Sequence, residues 1–191
     1  VTGCIVRLYY TVFENYDVIS RYFTITNESY DPVIIEKCMS LSIDIPSREH
    51  DMISLFGGDA WERNYQRVPL HMGSQSIFSR RGASSHHYNP FVAICGHKTT
   101  EEKGYAYGFN FVYSGNFLAE AEMSAIEAVR FQIGIGGENF GWRLEYGESF
   151  TSPEAVMTYS DKGLGQMSRN FHNFTRELIC PPDIYPKRPV V

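Results

Sequence analysis

Apolar residues recur along this chain in short alternating runs. Residues 5–12 and 18–26 alternate loosely and are rich in β-branched and aromatic side chains. The turn residues of FENYD stand between them, so the pair predicts a hairpin. Residues 33–45 predict one long strand, because Ile35, Leu41, Ile43 and Ile45 share a parity, and Pro46 ends it. Further strands are predicted at 74–80, 91–96, 104–113, 117–123, 128–134 and 141–144, with a last one at 154–159. Turn chemistry separates them, as in SGN at 114–116 and GGEN at 136–139. Many short strands divided by turns predict a large antiparallel sandwich.

The period changes after Pro153. Leu164, Met167, Phe171, Phe174 and Leu178 recur at steps of three and four, the apolar stripe of a helix over about 163–178. Ser160 or Asp161 is placed to cap its start, and Pro181-Pro182 to end it. The division expected is an all-β body over 1–160, then a helical connector and linker over 161–191.

Composition narrows the picture. With 191 residues, 43% hydrophobic and 15% aromatic, the chain can bury a sizeable core in one domain, or one domain with an appendage. A formal net charge of −5 gives no basic surplus, so neither nucleic acid nor an anionic membrane is an expected partner. No apolar run approaches the length of a membrane span. The chain opens directly on a strand pattern, VTGCIVRLYY, and closes on PPDIYPKRPVV, so it is expected to be a segment of a longer protein. Cys4, Cys38 and Cys95 each sit among apolar strand residues, and with Cys180 no two stand at a metal-knuckle spacing. Buried reduced thiols, and hence a cytoplasmic protein, are the expectation.

Three stretches invite chemistry. RGASSHHYNPF (81–91) gathers a cation, two serines and two histidines. Adjacent histidines on a strand point to opposite faces, so one metal rarely takes both. A nucleophile elbow needs G-x-S-x-G between strand and helix, and Gly-Ala-Ser-Ser-His leads instead into Asn-Pro. Two readings stand: Arg81, Ser84, Ser85, His86 and Asn89 lock a loop by satisfying its backbone, or they meet a partner surface. GIGGEN (134–139) lacks both the G-x-G-x-x-G spacing and a following helix, so it reads as a turn. FGGDAWERNYQR (56–67) reads as a polar loop carrying Trp61 between glycines and charges. An exposed indole is a stacking platform for the C–H face of a sugar, and ordinary packing is the competing reading. No pair of carboxylates can be assigned to glycoside hydrolysis, so no catalytic residue is identified, and no metal or cofactor is expected.

The motifs RRGASSHHYNPF (80–91), YGFNFVYSGNFLAEAE (107–122), ESFTSPEAVMTYSDKGLGQMSRNFHNFTR (148–176), LYYTVFENYDVISR (8–21) and GGDAWERNYQR (57–67) are spread along nearly the whole chain. They resemble the family 36 glycoside hydrolases, the large microbial α-galactosidases and their plant raffinose-pathway relatives. The resemblance implies that residues 1–160 are the later part of an antiparallel β-supersandwich of the galactose-mutarotase type, whose first strands are expected before Val1. In that family it precedes a catalytic (β/α)8 barrel holding both catalytic aspartates, which would lie outside these residues. It implies retention by double displacement, with one carboxylate attacking the anomeric carbon and another protonating the leaving oxygen. It also implies packing on the barrel, a homo-tetramer in which a neighbour's supersandwich helps close the galactose pocket, and a bacterial cytoplasmic setting. Trp61 falls on the tryptophan of the family's G-x-W-x-R loop, which lines that pocket. The match departs from many members at AWERN, where Asn64 stands in place of a Glu. RGASSHHYNPF then reads as architectural.

Other classes predict different behaviour. A free-standing lectin-type module would bind galactose alone, which calorimetry would detect. An epimerase would need a His and a Glu facing one pocket, and would show activity in a mutarotation assay.

Overall fold

The computed structural model describes residues 3–46, 49–125 and 128–180. Within them the chain runs β1 (Cys4–Phe13), β2 (Val18–Asn27), β3 (Val33–Ile35), β4 (Cys38–Ile45), β5 (His50–Gly58) and β6 (Trp61–Pro69). It continues through β7 (Gly73–Ser79), β8 (Tyr88–Gly96), β9 (Ala106–Val112), β10 (Phe117–Met123) and β11 (Val129–Ile135). Then come β12 (Trp142–Leu144), β13 (Ser149–Thr151), β14 (Glu154–Ser160) and the helix α1 (Gly163–Phe174). The fold is mostly β with one α-helix near the end, as the sequence predicts.

Three layers result. A large antiparallel sheet runs β1-β2-β14-β9-β8-β5-β6, with β13 also on β2. A four-stranded sheet, β4-β11-β10-β7, packs on one face, and β3 pairs with β12 as a small ribbon. Phe109 and Phe131 stack across the two main sheets with centroids 4.1 Å apart, at the centre of the main core. On the opposite face lies α1, whose Leu164, Met167, Phe171 and Phe174 cluster with Val18, Ile53, Ala93, Cys95 and Val156. Alternation along each strand therefore feeds two cores, one per face.

The helix departs from the expectation at both ends. Neither Ser160 nor Asp161 takes the expected N-cap position: Lys162 holds it without a side-chain bond, while Ser160 Oγ accepts from the Lys162 N–H at 3.0 Å just ahead of the helix. Backbone carbonyls of the 100–104 loop cap the helix instead. Gly104 accepts from the Gly163 N–H at 2.7 Å, Thr100 from Leu164 at 3.0 Å and Glu101 from Gly165 at 2.9 Å. Gly163 has φ +79°, and a Cβ there would lie 2.6 Å from two of the loop's carbonyl oxygens. At the other end the α-helix gives way to a π-turn, Thr175–Ile179, which rotates Leu178 out of the stripe to 49% exposure. The Pro181-Pro182 stop lies outside the described residues.

Two further expectations are corrected. The strand expected over 33–45 is broken: β3 leaves to pair with β12, and β4 pairs with β11. A register shift opposite Gly134 slips the parity, so Cys38 and Leu41 both enter the core. The segment expected to be a polar loop, 56–67, is the end of one strand and most of another. Chain pairing on both flanks makes β5 a central strand, while β6 is the sheet's edge, wet enough to be polar along its length.

A buried carboxylate ties this hairpin to the rest. Asp51 accepts from Arg67 Nε at 2.6 Å and lies 2.5 Å from His97 Nδ1. The remaining Arg67 nitrogens donate to the carbonyls of Gly96, His97 and Thr99 at 2.8–2.9 Å. The same loop that caps α1 is thus pinned to β5 and β6.

Candidate sugar-facing hairpin

Trp61 is the first residue of β6, not part of an irregular loop. Gly58 pairs with Trp61, leaving a two-residue turn, Asp59-Ala60, with Ala60 at φ 57°. Phe56 pairs with Asn64, so Glu62 and Arg63 together oppose Gly57, and Arg63 takes φ 57°. This bulge twists the tip and re-aims its side chains. Gly57 is what lets it close: a Cβ there would sit 2.3 Å from the Trp61 carbonyl oxygen and 2.7 Å from the Glu62 Cα. Asn64 Nδ2 donates to the Trp61 carbonyl at 2.7 Å, and the Ala60 N–H to Glu62 Oε1 at 3.2 Å. Asn64, which marks the departure from many family members, is therefore a fastener of the tip.

The indole stands edge-on to Phe56, with centroids 5.6 Å apart, and remains 60% exposed. Its surroundings are hydrophilic, with Asp59, Glu62 and Arg63 all exposed. A flat apolar face beside two carboxylates and a guanidinium can stack on a pyranose ring and hydrogen-bond its hydroxyls. On the helix side of the same hairpin a groove of about 430 Å³ is lined by Arg63, Tyr65, Phe91, Asn110 and Phe171.

RGASSHHYNPF braces this hairpin. The Gly57 N–H donates to the His87 carbonyl at 3.1 Å, and Phe56 pairs with Tyr88. The loop is locked in the manner expected, with Ser84 Oγ donating to the Tyr113 carbonyl at 3.4 Å and Ser85 acting on the backbone, joined by groups outside the expected set. Asn116 Oδ1 accepts from the Gly82 N–H at 2.7 Å, Ser114 from the Ser84 N–H at 2.8 Å, and Ser85 Oγ from the His87 N–H at 3.2 Å. Ser79 Oγ donates to the Ala83 carbonyl at 2.5 Å. Of the other residues expected to do this, Arg81 contacts the His87 ring, His86 is exposed against that ring, and Asn89 Oδ1 is buried without a partner among the described residues. Partial burial, then the charge of Arg81 and of His86, holds the His87 imidazole below its usual pKa. Among the described residues no group of three or more His, Cys, Asp or Glu could share a metal ion.

The architecture is that of a large antiparallel β-sandwich domain with a helix on its outer face. Residues 1–145 match the family model of the glycosyl hydrolase family 36 N-terminal domain, and residues 149–191 match the Melibiase model. The chain is 43% identical over 178 residues to α-galactosidase AgaA of Geobacillus stearothermophilus, covering 93% of this chain and 24% of that protein. It is 39% identical over 185 residues to α-galactosidase 1 of Pediococcus pentosaceus, covering 96% and 25%. The solved structure of AgaB from Geobacillus stearothermophilus superposes with a TM-score of 0.96 at 39% identity, over 100% of this chain and 26% of that one. An AgaA variant solved in complex with raffinose gives 0.94 at 41% identity, over 96% and 26%. The chain belongs to glycosyl hydrolase family 36, as its motifs implied, and most of it matches the model of that family's N-terminal domain. It spans about a quarter of the length of these relatives.

Proposed function

We propose that this chain is a non-catalytic domain of a retaining α-galactosidase acting on melibiose- and raffinose-type galactosides, and that Trp61 lines the galactose pocket. The observation that carries the reading is the indole at the tip of a hairpin fastened on three sides and exposed over most of its surface. A side chain so rigidly presented suits a partner surface that arrives from outside the domain. The α-galactosidases among its relatives, and an AgaA structure holding raffinose, support the substrate class. In this reading the two catalytic aspartates belong to a (β/α)8 barrel of the same polypeptide. Residues 161–191 lead toward that barrel, the domain packs on it, and a homo-tetramer brings the hairpin to a neighbour's pocket. The fragment alone hydrolyses nothing. The parent works in a bacterial cytoplasm, where the four free thiols of this chain stay reduced.

Trp61→Ala in the parent enzyme tests this. Loss of one stacking face is worth about 0.5–1.5 kcal/mol, or about a 2- to 13-fold fall in kcat/KM. Trp61→Phe should recover part of it. An unchanged kcat/KM in a folded, correctly assembled variant would reduce Trp61 to a packing residue of the hairpin.

A further inference from the structure

The helix covers only part of the outer face of the large sheet. Met167 and Phe171 of α1 lie directly over Gly108 of β9. From β9 the sheet continues through β8 and β5 to β6, three strand spacings or about 14 Å away. A helix with its side chains is about 10 Å across, so α1 stops well short of β6. The uncovered strip is the groove of about 430 Å³. Phe91, Met167 and Phe171 line it, and so do Arg63 and Tyr65 of β6. This is a different surface from that of Trp61. The indole packs on Phe56, which shares the parity of the core residue Met52, whereas Arg63 and Tyr65 serve the helix side.

A second observation gives the groove a chemistry. Asn89 also lines it, and Asn89 Oδ1 is buried without a partner among the described residues. Such an oxygen costs free energy until a donor reaches it. Asn110, paired with Phe91 on the neighbouring strand, adds a second amide. Arg63 and Glu101, both exposed, bring one charge of each sign. A charged ligand would be repelled by one of them. A neutral ligand with several hydroxyls can donate to Asn89 and Glu101 and accept from Arg63. Tyr65, Phe91 and Phe171 supply aromatic carbon for the C–H face of a pyranose. Apolar walls with a few convergent polar groups, at this volume, are the usual make-up of a small-molecule site.

We propose that the groove between α1 and β6 is a second saccharide site, taking a neutral mono- or disaccharide with a galactosyl unit, one of whose hydroxyls donates to Asn89 Oδ1. The choice of a sugar over a peptide rests on the galactoside reading above. The existence of the site rests on the groove and on Asn89, and neither depends on Trp61.

Methyl NMR of methionine-labelled parent polypeptide tests this. The probe is methyl β-galactopyranoside, whose β linkage a retaining α-galactosidase does not cleave. Met167 reports from the wall of the groove. Its methyl signal should shift saturably, with a Kd of about 1–10 mM. Asn89→Ala should weaken that binding at least about fivefold, by removing the acceptor. Ser168→Leu should do the same by filling the groove from α1, where Ser168 is only half-buried, and it keeps the test decisive if Asn89→Ala disturbs its loop. Trp61→Ala should leave the Met167 titration within about twofold of wild type. An unshifted Met167 signal at about 100 mM probe would mean that the groove is covered or takes no sugar, overturning the proposal. Binding unchanged in both groove variants would put the sugar elsewhere and overturn it equally. A Met167 midpoint that moves with Trp61→Ala would mean that the signal is transmitted from the galactose pocket, which also overturns it. Turnover plays no part in the readout, so failure here and failure of the galactosidase reading are distinguishable.

Discussion

Phe171 and Leu178 belong to one apolar stripe in the sequence, and the structure separates them. Phe171 is 7% exposed, edge-on to Phe91 with centroids 6.4 Å apart, and lies directly over Gly108 of β9. A Cβ added at Gly108 would come within 2.6 Å of the Phe171 ring, so the ring fills its site closely. Truncation to Ala loses the transfer free energy of a benzyl group and leaves a hole between a sheet and a capped helix, neither of which collapses easily. The expected cost is about 3–5 kcal/mol. For a domain of this size each kcal/mol moves Tm by about 2–4 °C, so Phe171→Ala should lower Tm by about 6–20 °C. Leu178 sits in the π-turn at 49% exposure, and Leu178→Ala should stay within about 0.5–1 kcal/mol of wild type. Calorimetry or denaturant titration of the two variants side by side gives the comparison. Equal losses would refute the packing argument, because they would mean that the stripe continues unbroken through residue 178. A Phe171→Ala protein melting within about 2 °C of wild type would refute the burial of the stripe altogether.

Three other outcomes follow from the buried polar groups and thiols. Arg67→Met leaves the Asp51 carboxylate, 8% exposed, with His97 alone, and should cost about 3 kcal/mol in a urea titration, with the 96–105 loop exchanging first. Burial pushes the Cys38 thiol up to about 12 and the Cys95 thiol to about 11, so in the native state at pH 8 only Cys4 and Cys180 should react with a thiol reagent, and all four in denaturant. Reaction of Cys95 at the rate of Cys4 would contradict this. His87 has its folded pKa held below the usual 6.5. As pH falls through 6.5 the unfolded chain therefore takes up a proton before the folded one does. Its contribution to stability is level above 6.5 and declines as pH drops toward the lowered folded value. An NMR titration of the ring should show the low midpoint. Arg81→Ala should raise it only in part, because burial is the larger cause.

Alternation and turn residues determined most of this architecture from the sequence alone. A strand such as β11, VRFQIGI, states its two faces in its own residues, and the stripe from Leu164 to Phe174 states a helix with one buried side. Long motifs likewise carried the family, because shared sequence over nearly the whole chain needs no coordinates to be legible. What the sequence concealed depended on neighbours distant along the chain. Nothing in WERNYQRVP marks a strand, because an edge strand keeps its polar side chains in water and is held by the backbone of β5 alone. Nothing near Gly163 announces that the helix is capped by the carbonyls of Thr100, Glu101 and Gly104, some sixty residues away. Trp61 stands out in the sequence by its glycines, but its placement at the tip of a hairpin rests on the bulge at Glu62-Arg63 and on the His87 carbonyl. Local propensity is a property of a few adjacent residues. Hydrogen bonds to backbone groups carry no side-chain signature, so the elements that depend on them were decided only when the sheets came together.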